Sequence, residues 1–348
     1  NMSVDEIEAY EHAAPEAPPP AFATPLTFGI PEVYEPLLGT PVNVQEVLTK
    51  ARVISALQCA RPLATGSAAA TFVLPAASVR DAVELTARSD LTAQVVPFYY
   101  QRALDPAAVV RIEERLSGET PLWILGGLSW PELDASVRDL LLAGVRAGRF
   151  GVLWVHCHGT PPVTLPDDAT PVDALGHILS QTADGLPPKT TVKAHRLGQG
   201  RFATLRYAGG NKVPPTTLFP AITPAPDAVG IPRWEGCAAA LIRTALWAAG
   251  RLGPTLDLSL AGSAVQVRHE AREDTNLIVN WYDRFWEPLG VRQVKATGGT
   301  STIPFPQLPS GRHACVVSLV DGQDRVMDWA MVAVPGPDNV RITALSAE

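Results

Sequence analysis

The hydrophobic pattern of this 348-residue chain changes period once, near Leu252, and that change limits what the chain can fold into. Before it, short apolar runs alternate with stretches of helical period. The runs are Ala51–Leu57, Ala70–Pro75, Thr92–Tyr99, Leu122–Leu125 and Gly151–His156. Between them, Ser78 is placed to cap a helix over Val79–Ala87, and Asp105-Pro106 opens one over Ala107–Leu116. Leu133, Val137, Leu140, Leu141 and Val145 make a buried stripe on a helix over Pro131–Ala147, stopped by Gly148. Thr191–Arg196 and Arg201–Tyr207 flank Leu197-Gly198-Gln199-Gly200 as a hairpin, and Trp234–Arg251 reads as a closing helix. Strands alternating with helices predict βαβ units, and wholly apolar strands fit a sheet covered on both faces. The expected fold class is α/β, a flavodoxin-like doubly wound parallel sheet.

After Leu252 the period is two. Leu256–Leu260, Val265–Arg268, Leu277–Trp281, Val291–Val294, Thr302–Phe305, His313–Val320, Arg325–Val334 and Val340–Thr343 are short strand candidates, with turns at Asp321-Gly322 and Pro309-Ser310-Gly311. That spacing predicts a C-terminal all-β sandwich domain. The division expected is an extended arm over 1–46, an α/β domain over 47–251 and a β-sandwich over 252–348.

The arm follows from proline. The chain holds 33 prolines, and eight fall between Pro15 and Pro41, including Pro18-Pro19-Pro20. Such a stretch favours polyproline II over a packed core. Phe22, Phe28, Tyr34, Leu37 and Leu38 are interspersed, so the arm is expected to order by lying across its own domain or a protein partner, a second copy included.

Charge excludes several partners. The formal net charge is −7, and no Lys/Arg cluster supplies the positive footprint that nucleic acid requires. No apolar run reaches bilayer length, so no membrane association is expected. The opening Asn1-Met2-Ser3-Val4-Asp5-Glu6 is polar and acidic, unlike a signal peptide. Cys59, Cys157, Cys237 and Cys315 are widely spaced without a CxxC pair, which speaks for free thiols and leans towards a reducing, cytoplasmic compartment. Gly126-Gly127, Gly209-Gly210 and Gly298-Gly299 lack a phosphate-loop context, so no nucleotide cofactor is expected.

Two places carry candidate chemistry. His156-Cys157-His158 ends a strand, where doubly wound sheets bind ligands, and offers either an imidazole-activated thiolate or three metal donors. Alternation along a strand sets both histidines opposite Cys157, which works against a joint catalytic or metal site; no metal is expected. Trp281, Tyr282 and Trp286 lie in the aromatic run Trp281–Trp286, and exposed indoles stack on sugars, so these three are the carbohydrate-binding candidates. The carboxylates Asp167-Asp168 and Asp283/Glu287 form no diagnostic glycosidase pair.

Several short stretches are similar in order to a known family. They are Val83–Arg88; Leu122–Leu125 followed by Leu128–Leu133; Val145–Gly148; Gly198-Gln199-Gly200-Arg201-Phe202; and Trp234-Glu235 leading into Trp247-Ala248-Ala249-Gly250. Over residues 50–251 this order resembles the class I glutamine amidotransferase-like fold. More narrowly, it resembles the version that serves as a trimerisation domain in β-galactosidase-type glycoside hydrolases, and the following strands resemble an Ig-like module. The resemblance implies a nucleophile elbow of the form Gly-x-Cys-x-Gly, with a His and a Glu before the last helix. Here the stretch reads Val155-His156-Cys157-His158-Gly159, its first Gly is replaced, and Thr160–Pro166 cannot start a helix. Glu235 stands where the Glu is implied, but Arg233-Trp234 supplies no His. The triad is therefore expected to be incomplete, leaving Cys157, His156, His158 and Glu235 as the only residues for a Cys-dependent hydrolase. The reading favoured is a non-catalytic assembly or scaffolding module of a larger protein or complex, a carbohydrate-active one being one such context. The alternatives are a carbohydrate-binding module or part of a glycoside hydrolase, and the Cys157 enzyme.

Overall fold

The computed structural model describes residues 68–75, 78–89, 91–98, 104, 106–156, 163–173, 190–206, 218–219, 230–270, 274–283 and 288–336. The expected arm over 1–46, the strand over Ala51–Leu57 and the strand over Val340–Thr343 lie outside them. The described residues belong to one compact unit, Cys59–Glu348.

The first layer is a seven-stranded sheet in the order β2-β1-β3-β4-β7-β6-β5. Its strands are β1 (Ala68–Pro75), β2 (Leu91–Phe98), β3 (Leu122–Gly126), β4 (Gly151–His156), β5 (Thr170–Val172), β6 (Thr191–Leu197) and β7 (Gly200–Arg206). The apolar runs make β3 and β4 buried on both faces, as the residues Leu-Trp-Ile-Leu and Val-Leu-Trp-Val require. Helix α1 (Val79–Ser89) and helix α4 (Gly230–Ala248) cover one face, where Leu85, Leu153, Val155, Ala203, Leu205, Leu241 and Ala245 share a cluster. Helices α2 (Pro106–Leu116) and α3 (Ala135–Arg146) cover the other, around Trp123, Trp154, Ile112, Leu141 and Phe202.

The flavodoxin-like doubly wound parallel sheet is not what forms. The structure is mostly β, 47% strand against 23% helix, with four α-helices among the described residues. The seven-stranded sheet is mixed: β6 pairs antiparallel with β7, and β5 antiparallel with β6. The rest of the chain forms two further sheets, both antiparallel. Periodicity marks a strand as buried but says nothing about its direction. The hairpin Thr191–Arg206 was legible, yet nothing in its residues told that it would join the main sheet.

The helix expected over Pro131–Ala147 is split. Trp130–Glu132 is a single 3-10 turn whose Glu132 carboxylate accepts the Ser129 N–H at 2.8 Å. Asp134 then caps α3, accepting the Ser136 N–H at 2.9 Å. Two N-terminal capping signals in one stretch divide it: Ser129 with Glu132 opens the short turn, and Asp134 takes the Ser136 N–H that a continuous helix would have bonded to the Glu132 carbonyl.

After Leu252, β11 (Pro288–Lys295), β10 (Asn276–Tyr282), β13 (Arg312–Val320) and β14 (Val326–Pro335) form one sheet in that order. Strands β12 (Thr300–Pro304), β9 (Ala264–His269) and β8 (Leu256–Ala261) form the other. Their alternate residues Val265, Val267, Ile303, Leu277, Val279, Cys315, Val317 and Val332 meet in a shared core. On its outer side the four-stranded sheet sends Val320, Val326 and Trp329 into the cluster of α1 and α4. The two parts of the unit are therefore packed together across apolar surface.

Strand β11 is an outer edge. Val291 is 70% exposed and Leu289 is also exposed. Pro288 opens the strand, the register shifts opposite Trp281 and Tyr282, and Arg292 and Lys295 follow.

Candidate functional site

The carboxyl edge of the parallel strands is where the candidate chemistry falls. Strand β4 ends in His156, 3% exposed, its ring 6.2 Å from Trp154. Trp154 in turn meets Trp130 edge-on at 5.2 Å, and Trp130 meets Phe202 at 6.0 Å. Burial, and secondarily the charge of Arg206, push the imidazole down to about 4. At neutral pH the ring is uncharged. A base of that strength accepts a proton weakly at pH 7 and is poorly matched to activating a thiol.

Cys157 and His158 lie outside the described residues. Glu235 falls within α4, and its side chain also lies outside them. The sheet nevertheless separates two of these positions. His156 shares the face of Trp154, under α2 and α3, whereas α4 packs on the opposite face. The Ala248 carbonyl at the end of α4 lies against Gly151, the first residue of β4. The helix thus runs back along the strand and carries Glu235 to the carboxyl edge, on the side away from His156. Among the described residues, no three His, Cys, Asp or Glu side chains gather to hold a metal.

The sugar-stacking candidates do not form a platform. Trp281 is 3% exposed and lies edge-on to Phe305 at 5.8 Å, inside the C-terminal core. Tyr282 is buried too, and Trp286 lies outside the described residues. Trp329 sits beneath the Arg88 guanidinium, 5.9 Å from its ring centre. Asp168 is exposed, and Arg146 grips it in a bidentate pair at 2.8 and 2.9 Å that lowers its carboxyl.

The glycine-rich stretches that carry the family resemblance serve packing at the opposite, amino edge. Gly198 has φ +57°, and a Cβ there would strike the Arg146 carbonyl that the Gln199 N–H meets at 3.0 Å. Gly151 admits the Ala248 carbonyl so closely that any side chain would collide with it. Arg201 lies over the Trp247 ring and donates to the Trp247 carbonyl at 2.8 Å. These motifs join a helix end to a strand start and lie away from His156.

Sequence reasoning missed a polar grid beside His156. Register places His156, Arg206 and Thr191 in one row across β4, β7 and β6, and Trp154, Thr204 and Lys193 in the next. His195 follows, opposite Phe202. The signal was present: Thr191-Val192-Lys193-Ala194-His195 and Thr204-Leu205-Arg206 alternate polar with apolar, so each polar set shares a face.

No protein-family model matches the chain, and no curated protein matches it. Solved structures that match in part include a b-glucuronidase from Ruminococcus gnavus in complex with D-glucuronic acid, and one in complex with D-glucaro 1,5-lactone. Each is 17% identical, covers 24% of this chain and 15% of that chain, and has a TM-score of 0.16. The match thus spans a small part of either molecule. Among the described residues no helix is long and apolar enough to cross a membrane.

Proposed function

We propose that this chain is a non-catalytic assembly module that holds parts of a larger protein or complex in a fixed relation. The observation that carries this reading is the junction between its two parts. Arg243, on α4, reaches the second part and pairs with Asp328 on β14 at 3.0 and 2.6 Å. The same guanidinium donates to the Leu256 and Trp329 carbonyls, and Asp328 accepts the Leu256 N–H at 2.8 Å. A junction with this many directed bonds fixes one relative orientation, which is what a positioning element needs. The weak basicity of His156 and the burial of Trp281 and Tyr282 also favour this reading over an enzyme or a sugar-binding module.

Self-association, through residues 1–46, is the form of the proposal tested first. Light scattering of the full chain at micromolar concentration is expected to give a defined oligomer that loses mass when residues 1–46 are removed. A strict monomer in both cases removes this form. The labelling rate of Cys157 by iodoacetamide is expected to match that of an ordinary thiol. A strongly accelerated rate abolished by His156→Gln or His158→Gln overturns the non-catalytic reading.

A further inference from the structure

The polar grid on β4, β7 and β6 has features that a structural role leaves unexplained. Arg206, Lys193 and Thr191 are exposed and Thr204 is half-buried, all on one sheet face. Neighbouring strands lie about 4.8 Å apart, and alternate residues about 6.7 Å apart along a strand. The four side chains therefore stand at the corners of a rectangle sized for one small anion. Among the described residues neither cation has an ion-pair partner. Within the described stretch 163–173, Asp168 is taken by Arg146, and Asp167 and Asp173 pair with neither cation.

The surroundings are those of a binding surface, not of a solvated strand. His156 and His195 flank the rectangle, and both are held below their ordinary values, by burial first and then by Arg206 and Lys193 respectively. The two cations thus bear on both imidazoles, and among the described residues no carboxylate pairs with either of them. The Nδ1 of His195 and the indole nitrogen of Trp154 are buried without hydrogen-bond partners among the described residues, and Trp154 stands beside Thr204 in the same row. Unmet buried polar atoms beside unpaired cations point to a polar ligand.

We propose that this face binds a phosphate group, free or as a monoester, between Arg206 and Lys193. The guanidinium offers a forked pair of donors, the ammonium a point charge, and the two threonine hydroxyls neutral donors. A dianion draws on both cations at once, which a carboxylate does less well. The proposal goes beyond the assembly reading and stands independently of it.

The test is calorimetric titration of the full chain with inorganic phosphate, phenyl phosphate and acetate in separate arms at low ionic strength. One saturable site is expected for phosphate, with acetate markedly weaker. Arg206→Ala and Lys193→Ala are each expected to weaken it about tenfold, as for loss of one charge-assisted contact. Because both side chains are exposed, circular dichroism and Tm should stay unchanged in these variants. Tighter binding of phenyl phosphate assigns the site to an ester, and equal binding assigns it to the free anion. Absence of saturation, acetate binding as well as phosphate, or phosphate affinity unmoved by both substitutions overturns the proposal.

Discussion

The Arg243 guanidinium and the Asp328 carboxylate meet in a two-point ion pair sealed from water, their side chains 2% and 5% exposed. Burial raises the Asp328 carboxyl, and Arg243 pulls it back down. The pair therefore sits where each charge depends on the other. Arg243→Met or Asp328→Asn leaves one buried charge uncompensated, and either is expected to cost about 3–5 kcal/mol in urea unfolding. Arg243→Met combined with Asp328→Leu should recover most of that loss. A double variant whose loss equals the sum of the two single losses would show that the charges do not depend on each other.

His156 makes stability fall in mild acid. Its folded value, about 4, lies below the ordinary 6.5, so the unfolded chain takes up the proton first as pH drops. Stability from this ring is complete above pH 6.5 and is lost between about 6.5 and 4, on the order of 2–3 kcal/mol. His195 and His269 are lowered too and act with the same sign. His156→Gln should flatten the stability profile over that interval. A profile with the same slope as the parent chain would reject the assignment.

Two glycines should respond unequally. Gly151→Ala drives a Cβ into the Ala248 backbone, and neither element can yield without moving the sheet or α4. A loss above about 2 kcal/mol is expected. Gly262, with φ +59° and open space around it, carries only the conformational term, so Gly262→Ala should cost about 1 kcal/mol. Thermal melts of both variants compare them directly.

Trp281→Ala should act on the fold. The ring fills the C-terminal core beside Phe305, so truncation is expected to cost about 3–5 kcal/mol and to weaken the near-ultraviolet dichroism. Retention of the parent chain on immobilised polysaccharides should be absent. Clear retention lost in a folded Trp281→Phe variant would restore the sugar-binding reading.

These contrasts show which parts of the molecule the residues made legible. Leu122–Leu125 and Gly151–His156 announced buried strands because every position before the terminal His156 is apolar or glycine, and both formed. Leu277–Trp281 announced a strand by its alternation, and the strand buries Trp281, which the aromatic run had offered as a sugar-stacking residue. Strand direction was illegible, since Thr191–Leu197 would read the same in either orientation. The division at Ser129–Asp134 was hidden because two overlapping capping signals resemble one. The phosphate-binding face was missed for a different reason: Lys193, Thr204 and Arg206 are unremarkable along the chain, and only register makes them neighbours. The pairing of Arg243 was not legible, because its partner lies 85 residues away.

The outer strand Pro288–Lys295 has a further consequence. A proline that cannot donate, a slipped register and two cations interrupt the row of backbone groups that a second chain would need for zippering. Val291 can stay bare without inviting fibre growth, and copies that do come together must meet by some route other than shared strands along this border.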